Sequence, residues 1–465
     1  MSERRPLRAT LLAGVAAALT ACAQVQPAPP PLALPPLTGQ APADAERFWT
    51  LFDDPALSRL VDEALANNRD LRIAVARIDE ARAALRLARA ALYPSLDASV
   101  TASRGKRSEA TELRQGPPFH STSYGAGLSA AYEVDLWGRL GAGRAAAAAS
   151  ALGSEYAAQT VRVALAAQVA STYFSLRGLD ADLQLTRQTL ATRDENVRLQ
   201  KARVMAGVAS EFDLRLAEAE RAAVAAAIPA LERAVAQTEA ALAQLLGRSP
   251  AAVFAPAIAR GVPLEAARAP EVPAGLPADL LARRPDVRQA QANLEAAQAR
   301  VAEARAQYLP ALTLTAAFGA ESAELADLFS APARVWSLAA SLLQPILGAQ
   351  RISAQVDAAA ARREQAALAY QQAVVAALRD AHDALAAHRA ARETFVAQEQ
   401  RRAKQADALR LAELRYRNGY SSYLEVLDAQ RNLLDAERAR LAALRERQIA
   451  IVDLYKALGG GWAPR

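Results

Sequence analysis

The sequence holds a single cysteine in 465 residues, so no disulfide within the chain is possible. It has three histidines, His120, His382 and His388, placed far apart. One thiol and three dispersed imidazoles exclude a structural zinc site of ordinary spacing. Aromatic residues make up only 5% of the chain, which leaves little for a large aromatic core. No block of Lys and Arg with interleaved aromatics occurs, so nucleic acid is excluded as a partner. Walker loops, G-x-S-x-G, H-E-x-x-H and G-x-G-x-x-G are also absent, which weakens any enzymatic reading. What the chain has in abundance is alanine, flecked with charge. That composition suits long helices packed closely through small side chains.

The N-terminus reads as an address. Arg4, Arg5 and Arg8 precede an apolar run over 9–21 that is too short to span a membrane. The run ends in Leu19-Thr20-Ala21-Cys22, and Cys22 is the one cysteine. This stretch resembles a bacterial lipobox: residues 1–21 would be a signal peptide and Cys22 the lipidated mature N-terminus. Ala23 follows, not aspartate, which resembles sorting to the outer membrane. Residues 22–45 would be a stiff, Pro-rich tether.

The remainder is one unit used twice. Asn68-Arg69-Asp70-Leu71-Arg72 recurs as Arg284-Pro285-Asp286-Val287-Arg288 at an offset of 216 positions. Gly207, Ser210 and Leu246-Gly247 recur as Gly419, Ser422 and Leu458-Gly459 at an offset of 212. The first copy covers 46–247, a linker 248–277, the second copy 278–459 and a tail 460–465. Each copy reads as a helix, two strands, a long helix, a turn and a return helix. The long hairpins are expected over about 138–246 and 348–458. A proline-free run from Gly138 to Ala206 would make a helix about 100 Å long. Leu427, Leu434 and Leu441 at heptad spacing predict a packed seam, and Pro229 predicts a kink in the first return limb. Ser210-x-x-Asp213 and Ser422-x-x-Glu425 resemble capping boxes just after the turn glycines.

Between the helices lie four segments of period two, at about 95–104, 123–135, 311–320 and 334–343. In the fourth, Trp336, Leu338, Ala340 and Leu342 oppose Ser337 and Ser341. An apolar face against a polar face over ~10 residues is the pattern of a membrane β-barrel strand. Four strands cannot close a barrel, and an open edge is not tolerated in lipid, so several chains would have to share one barrel. A small soluble sheet packed on the helices is the competing reading. The connections at about 104–122, which contains His120, and 321–334 are expected as outward loops.

Four motifs in order carry a family resemblance: Trp49-x-x-Phe52-x-Asp54-Pro55-x-Leu57; Tyr132-Glu133-Val134-Asp135-Leu136-Trp137-Gly138-Arg139; Leu281-Ala282-Arg283-Arg284-Pro285-Asp286-Val287; and Tyr416-x-x-Gly419-x-x-x-Tyr423-Leu424-Glu425-Val426-Leu427-Asp428. The chain resembles the TolC-like outer membrane efflux factors, in particular their NodT-type lipoprotein branch. The resemblance implies a mainly α fold with transmembrane β. Three protomers would share a 12-stranded barrel that continues into a 12-helix periplasmic tube. It implies a passive export duct for small molecules, working with a periplasmic adaptor and an inner-membrane transporter of the resistance–nodulation–division class. The transporter would supply the energy, so the duct needs no cofactor. Asp213, Tyr416, Glu425 and Asp428 match the family's gate positions. Gly207, Val208, Ala209 and Ser210, with Asn418, Gly419, Tyr420, Ser421 and Ser422, would be the tips that meet the adaptor. Ser421 stands where the family pattern has a latch arginine. Two other readings stay open: a duct for type I protein secretion, and a periplasmic coiled-coil adaptor or scaffold lipoprotein.

Overall fold

The computed structural model describes residues 45–106, 120–270 and 283–459. In chain order the helices are α1 (Pro55–Asn67), α2 (Arg69–Ala90), α3 (Arg139–Met205), α4 (Glu211–Leu245), α5 (Pro250–Phe254), α6 (Pro285–Ala306), α7 (Ala349–Arg417) and α8 (Tyr423–Ala457). The strands are β1 (Ser95–Lys106), β2 (His120–Val134), β3 (Ala311–Ser322) and β4 (Arg334–Leu343). His120 therefore begins β2 instead of lying in a loop. Its backbone pairs with Lys106, the last residue of β1, which extends the ladder beyond the alternating segment.

The four strands form one antiparallel sheet in the order β1-β2-β3-β4. The register aligns apolar residues into rows that cross it: Ala98, Leu128, Phe318 and Trp336, then Leu96, Ala130, Ala316 and Leu338. Directly opposed residues share a face, so one side of the sheet is continuously apolar. Among the described residues that side is uncovered: Val100 is 84%, Trp336 77% and Leu338 76% exposed. The soluble-sheet alternative needs this face packed on helices, and it is not. β1 and β4 are the two edges.

The strands feed straight into the long helices through a built corner. Asp135 caps α3, its two carboxylate oxygens accepting the amides of Leu140 at 3.0 Å and Gly141 at 2.7 Å. Arg139 Nε and Nη2 donate to the two oxygens of Glu133 at 3.0 and 2.7 Å. The Trp137 indole donates to the Pro310 carbonyl at 2.8 Å, tying this corner to the next one. The Tyr132–Arg139 motif is thus the turn from strand to helix.

α3 is shared by both hairpins. Its first half packs on α2, through Arg82–Glu155, and on α6, where Ala292 lies beside Gly153. Its second half packs on α4, through Arg187–Glu232, and on α8, through Arg438–Asp182. α7 borders α6 around Val287, Val374 and Ala377, and borders α8 around Ala384 and Leu454. Of the eight buried side chains of α7, six are alanine, so the backbones approach closely and each contact is small. Pro229 sits inside α4, which continues through it. Leu427 and Leu441 are buried on α8, and Leu434 is half-buried.

The scarce aromatics gather at one level. Phe48, Trp49, Phe52, Tyr173, Phe174 and Tyr455 share a core with Leu57 and Leu246. Phe48 stacks on Tyr455 at 5.6 Å, and Phe52 meets Phe174 at 4.9 Å. Each such side chain contributes about 1.5–3 kcal/mol on burial, so this belt clamps the helices midway. Buried Asp54 accepts the amides of Ala56 at 2.8 Å and Leu57 at 3.2 Å and the Tyr173 hydroxyl at 2.6 Å. The Gly261 amide donates to the same hydroxyl at 3.0 Å, binding the linker to α3.

The two copies close alike. Asn68 Nδ2 donates to the Leu245 carbonyl at 2.9 Å, and Arg284 Nη1 donates to the Ala457 carbonyl at 2.8 Å. Each residue starts the short helix of its copy and caps the end of its return helix. Arg284 also holds both oxygens of Asp286, at 3.0 and 2.7 Å. Burial pushes the Asp286 carboxyl up, but these bonds and the arginine charge outweigh it and hold it below its usual value.

Candidate functional site at the hairpin tips

Both tips are built on the same C-terminal turn. Gly207 (φ +71°) and Gly419 (φ +76°) are left-handed. The Val208 amide reaches the Arg203 carbonyl at 3.0 Å, and the Tyr420 amide reaches Arg415 at 2.8 Å. These are Schellman turns, which satisfy the last carbonyls of α3 and α7. A Cβ at either glycine would meet open space, so the turn conformation alone calls for glycine there. Val208 and Tyr420 are well exposed, as are Met205 and Phe212 beside the first turn.

The helix starts differ. Ser210 accepts the Asp213 amide at 3.1 Å, as its spacing predicts. Ser422 makes no side-chain cap, so the second capping box does not form. Asn418 instead closes the end of α7, its Nδ2 donating to the Leu414 carbonyl at 2.7 Å. Glu425 is left without a capping role and stands exposed on α8 with Asp428. Among the described residues Asp428 accepts a side-chain hydrogen bond only from Asn432, at 3.2 Å. Arg431, spaced to pair with Asp428, turns instead to Glu220 on α4. Asp213 is half-buried at the start of α4, apart from the face that carries Glu425 and Asp428.

Tyr416 joins the hairpins. Its hydroxyl lies 3.3 Å from Gln200 Nε2, its ring lies under the Arg203 guanidinium at 4.9 Å, and it leans on Tyr423 at 5.6 Å. Burial raises the pKa of the Tyr423 phenol.

A second set of residues, not read from the sequence, lies above the tips. Arg193 on α3 is 4% exposed and donates to Gln430 on α8. Burial pushes its guanidinium below its usual value. Glu220 on α4, also buried, accepts from Arg431. Higher again, Arg438 donates to Asp182 at 3.1 Å and to Thr186 at 2.9 Å. Thr186, Arg193 and Gln200 are all buried and fall at heptad spacing, so below the aromatic belt the seam between α3 and α8 carries a polar row beside the apolar cluster of Val197, Tyr423, Val426 and Leu427. A polar residue at a seam position specifies register at a cost in stability. Among the described residues no cluster of His, Cys, Asp and Glu could hold a metal, and no helix is long and apolar enough to cross a membrane.

This arrangement has close counterparts. The profile of the outer membrane efflux protein family matches residues 60–248 and 276–460, that is, both copies. A probable efflux pump outer membrane protein of Pseudomonas putida, TtgC, is 36% identical over 422 residues, covering 90% of this chain and 86% of its own. The crystal structure of a membrane protein from Pseudomonas aeruginosa superposes with a TM-score of 0.86 at 36% identity, covering 95% of this chain and 98% of that one. The outer membrane channel CmeC of Campylobacter jejuni gives a TM-score of 0.88 at 25% identity, covering 94% of each chain. With both copies, the uncovered sheet and the helical hairpins all accounted for, the chain belongs to the TolC-like outer membrane efflux protein family.

Proposed function

We propose that this chain is the outer-membrane duct of a tripartite efflux pump for small organic compounds, formed by three copies around one axis. The observation that carries the reading is the sheet: four strands with an uncovered apolar face and two open edges, continuous with helices of about 100 Å. Three copies close a barrel in lipid and continue it as a tube in the periplasm. The relatives' names, efflux pump components, favour small-molecule cargo over secreted protein. A periplasmic adaptor meets the tips at Gly207–Ser210 and Asn418–Ser422, and a resistance–nodulation–division transporter supplies the energy. Loss of the gene should raise sensitivity to small amphiphilic toxicants and leave the secreted proteins unchanged. The reverse pattern would favour type I secretion.

Cys22 is the proposed lipid anchor, motivated by the Leu19–Cys22 lipobox. Cys22→Ser should abolish labelling by a palmitate analogue, while membrane residence falls only in part because the barrel holds the protein independently. Label retained in that variant would refute the anchor.

Glu425 and Asp428 are the proposed gate acids. Three copies would set six carboxylates around a narrow pore, with Asp213 and Tyr416 behind them. Such a ring attracts cations, as acidic rings do in cation channels. In planar bilayers the wild type should be cation-selective and blocked by divalent ions. The double variant Glu425→Ala/Asp428→Ala should lose most of both properties, and unchanged selectivity in an intact trimer would remove these residues from the gate.

A further inference from the structure

A hollow of about 240 Å³ lies where the strands become helices, lined by the β2–α3, α6–β3 and β4–α7 corners. We propose that it is a binding site for small aromatic carboxylates, facing the lumen of the duct; this rests on the duct reading above.

The facing follows from the register. Glu133 pairs with Thr313 and Thr313 with Ser341, all on the polar side of the sheet. The next pair on that side, two residues along, is Ala311 and Leu343. Glu133, Ala311 and Leu343 all line the hollow. Val134, Leu312 and Leu342 take the opposite, apolar side, and of these three only Val134 also borders the hollow. A barrel with its apolar side in lipid therefore turns the floor of this hollow inward.

The charge follows from what is already committed. The hollow is lined by two acids and two arginines: Glu133, Asp135, Arg139 and Arg351. Both Glu133 oxygens are held by Arg139, and both Asp135 oxygens by the first amides of α3. The Arg351 amide donates to the Gly348 carbonyl at 2.9 Å, but its guanidinium makes no hydrogen bond or ion pair among the described residues. The first turn of α7, to which it belongs, carries no acid and no side-chain cap. The unspent charge is therefore positive. Trp137 has given its indole N–H to Pro310, so its ring is left as an apolar wall beside Leu343 and Ile352. A guanidinium favours a carboxylate, which it binds through two parallel hydrogen bonds. The volume is below the ~300–1,000 Å³ of ordinary ligand pockets, which limits the occupant to one or two fused rings. Amphipathic anions crossing the duct would pause here.

The test is single-channel recording of the purified trimer with 1-naphthoate added from the barrel side, away from the acidic tips. The naphthoate should interrupt the wild-type current briefly and in proportion to its concentration. Arg351→Gln, with each channel compared to its own current before the probe is added, should be blocked at least about tenfold more weakly, as loss of a charge-assisted pair implies. Arg351→Lys should recover part of the block. The cation 1-naphthylmethylamine should block at least about tenfold more weakly than the acid. Equal block of Arg351→Gln, equal block by the amine, or no block by millimolar naphthoate in a conducting trimer would overturn the site. Absence of any conductance would instead overturn the duct reading, and the site with it.

Discussion

Gly247→Ala should lower the thermal stability of the assembled protein far more than the same change at its repeat mate, Gly459. Both glycines follow the end of a return helix and both are left-handed, at φ +69° and +91°. That conformation costs an alanine about 1–2 kcal/mol. At Gly459 the nearest atoms to an added Cβ are Arg284 Cγ at 3.3 Å and Cα at 3.4 Å, tight contacts that a shift of a few tenths of an ångström relieves. At Gly247 the added atom would fall 2.6 Å from the Asn67 carbonyl carbon and closer still to its oxygen. Those are backbone atoms of the α1–α2 joint. They cannot step aside, because Asn68 is fixed to the Leu245 carbonyl and to the Leu71 amide at 3.0 Å. Overpacking against fixed backbone adds roughly 1–3 kcal/mol, so the total at Gly247 is about 2–5 kcal/mol. Heating the trimer before electrophoresis reads the difference. Equal losses at the two positions would show that the joint yields.

Leu338→Lys should prevent stable insertion, and Ser337→Lys should not. Leu338 lies in the row with Leu96, Ala130 and Ala316 on the apolar face, and Ser337 is its neighbour on the other face. A lysine facing lipid near the bilayer centre costs about 2–4 kcal/mol in one strand, and threefold assembly repeats that cost in every protomer. A lysine at 337 would stand in water inside the duct. Outer-membrane fractionation and the yield of heat-modifiable oligomer separate the two. Equal tolerance would mean that the apolar face is not in lipid.

Much of this architecture was legible because its rules are local and periodic. The strands announce themselves by alternation, so the fourth runs Arg334–Leu343 where the pattern places it. Helix ends follow the left-handed glycines, and duplication doubles each signal. Where the reading failed, a local rule met a distant partner. Ser422 has the spacing of a cap, yet its side chain makes none, and Asn418 closes the preceding helix instead. Arg431 is spaced for Asp428 along its own helix, but Glu220 on another hairpin is buried and needs a counter-charge more. No motif singles out Arg193. Its heptad relation to Thr186 and Gln200 was the available sign that it lies in a seam. The hollow beside Arg351 had no sequence signal, because it is assembled from three corners far apart in the chain.

Trimeric closure is what turns an open sheet and two hairpins into a duct, and native mass spectrometry of the detergent-extracted protein addresses it most directly. A single species of three chains, surviving without any cross-link, is the predicted result. A stable monomer would contradict the account, since it would leave both sheet edges unpaired in lipid.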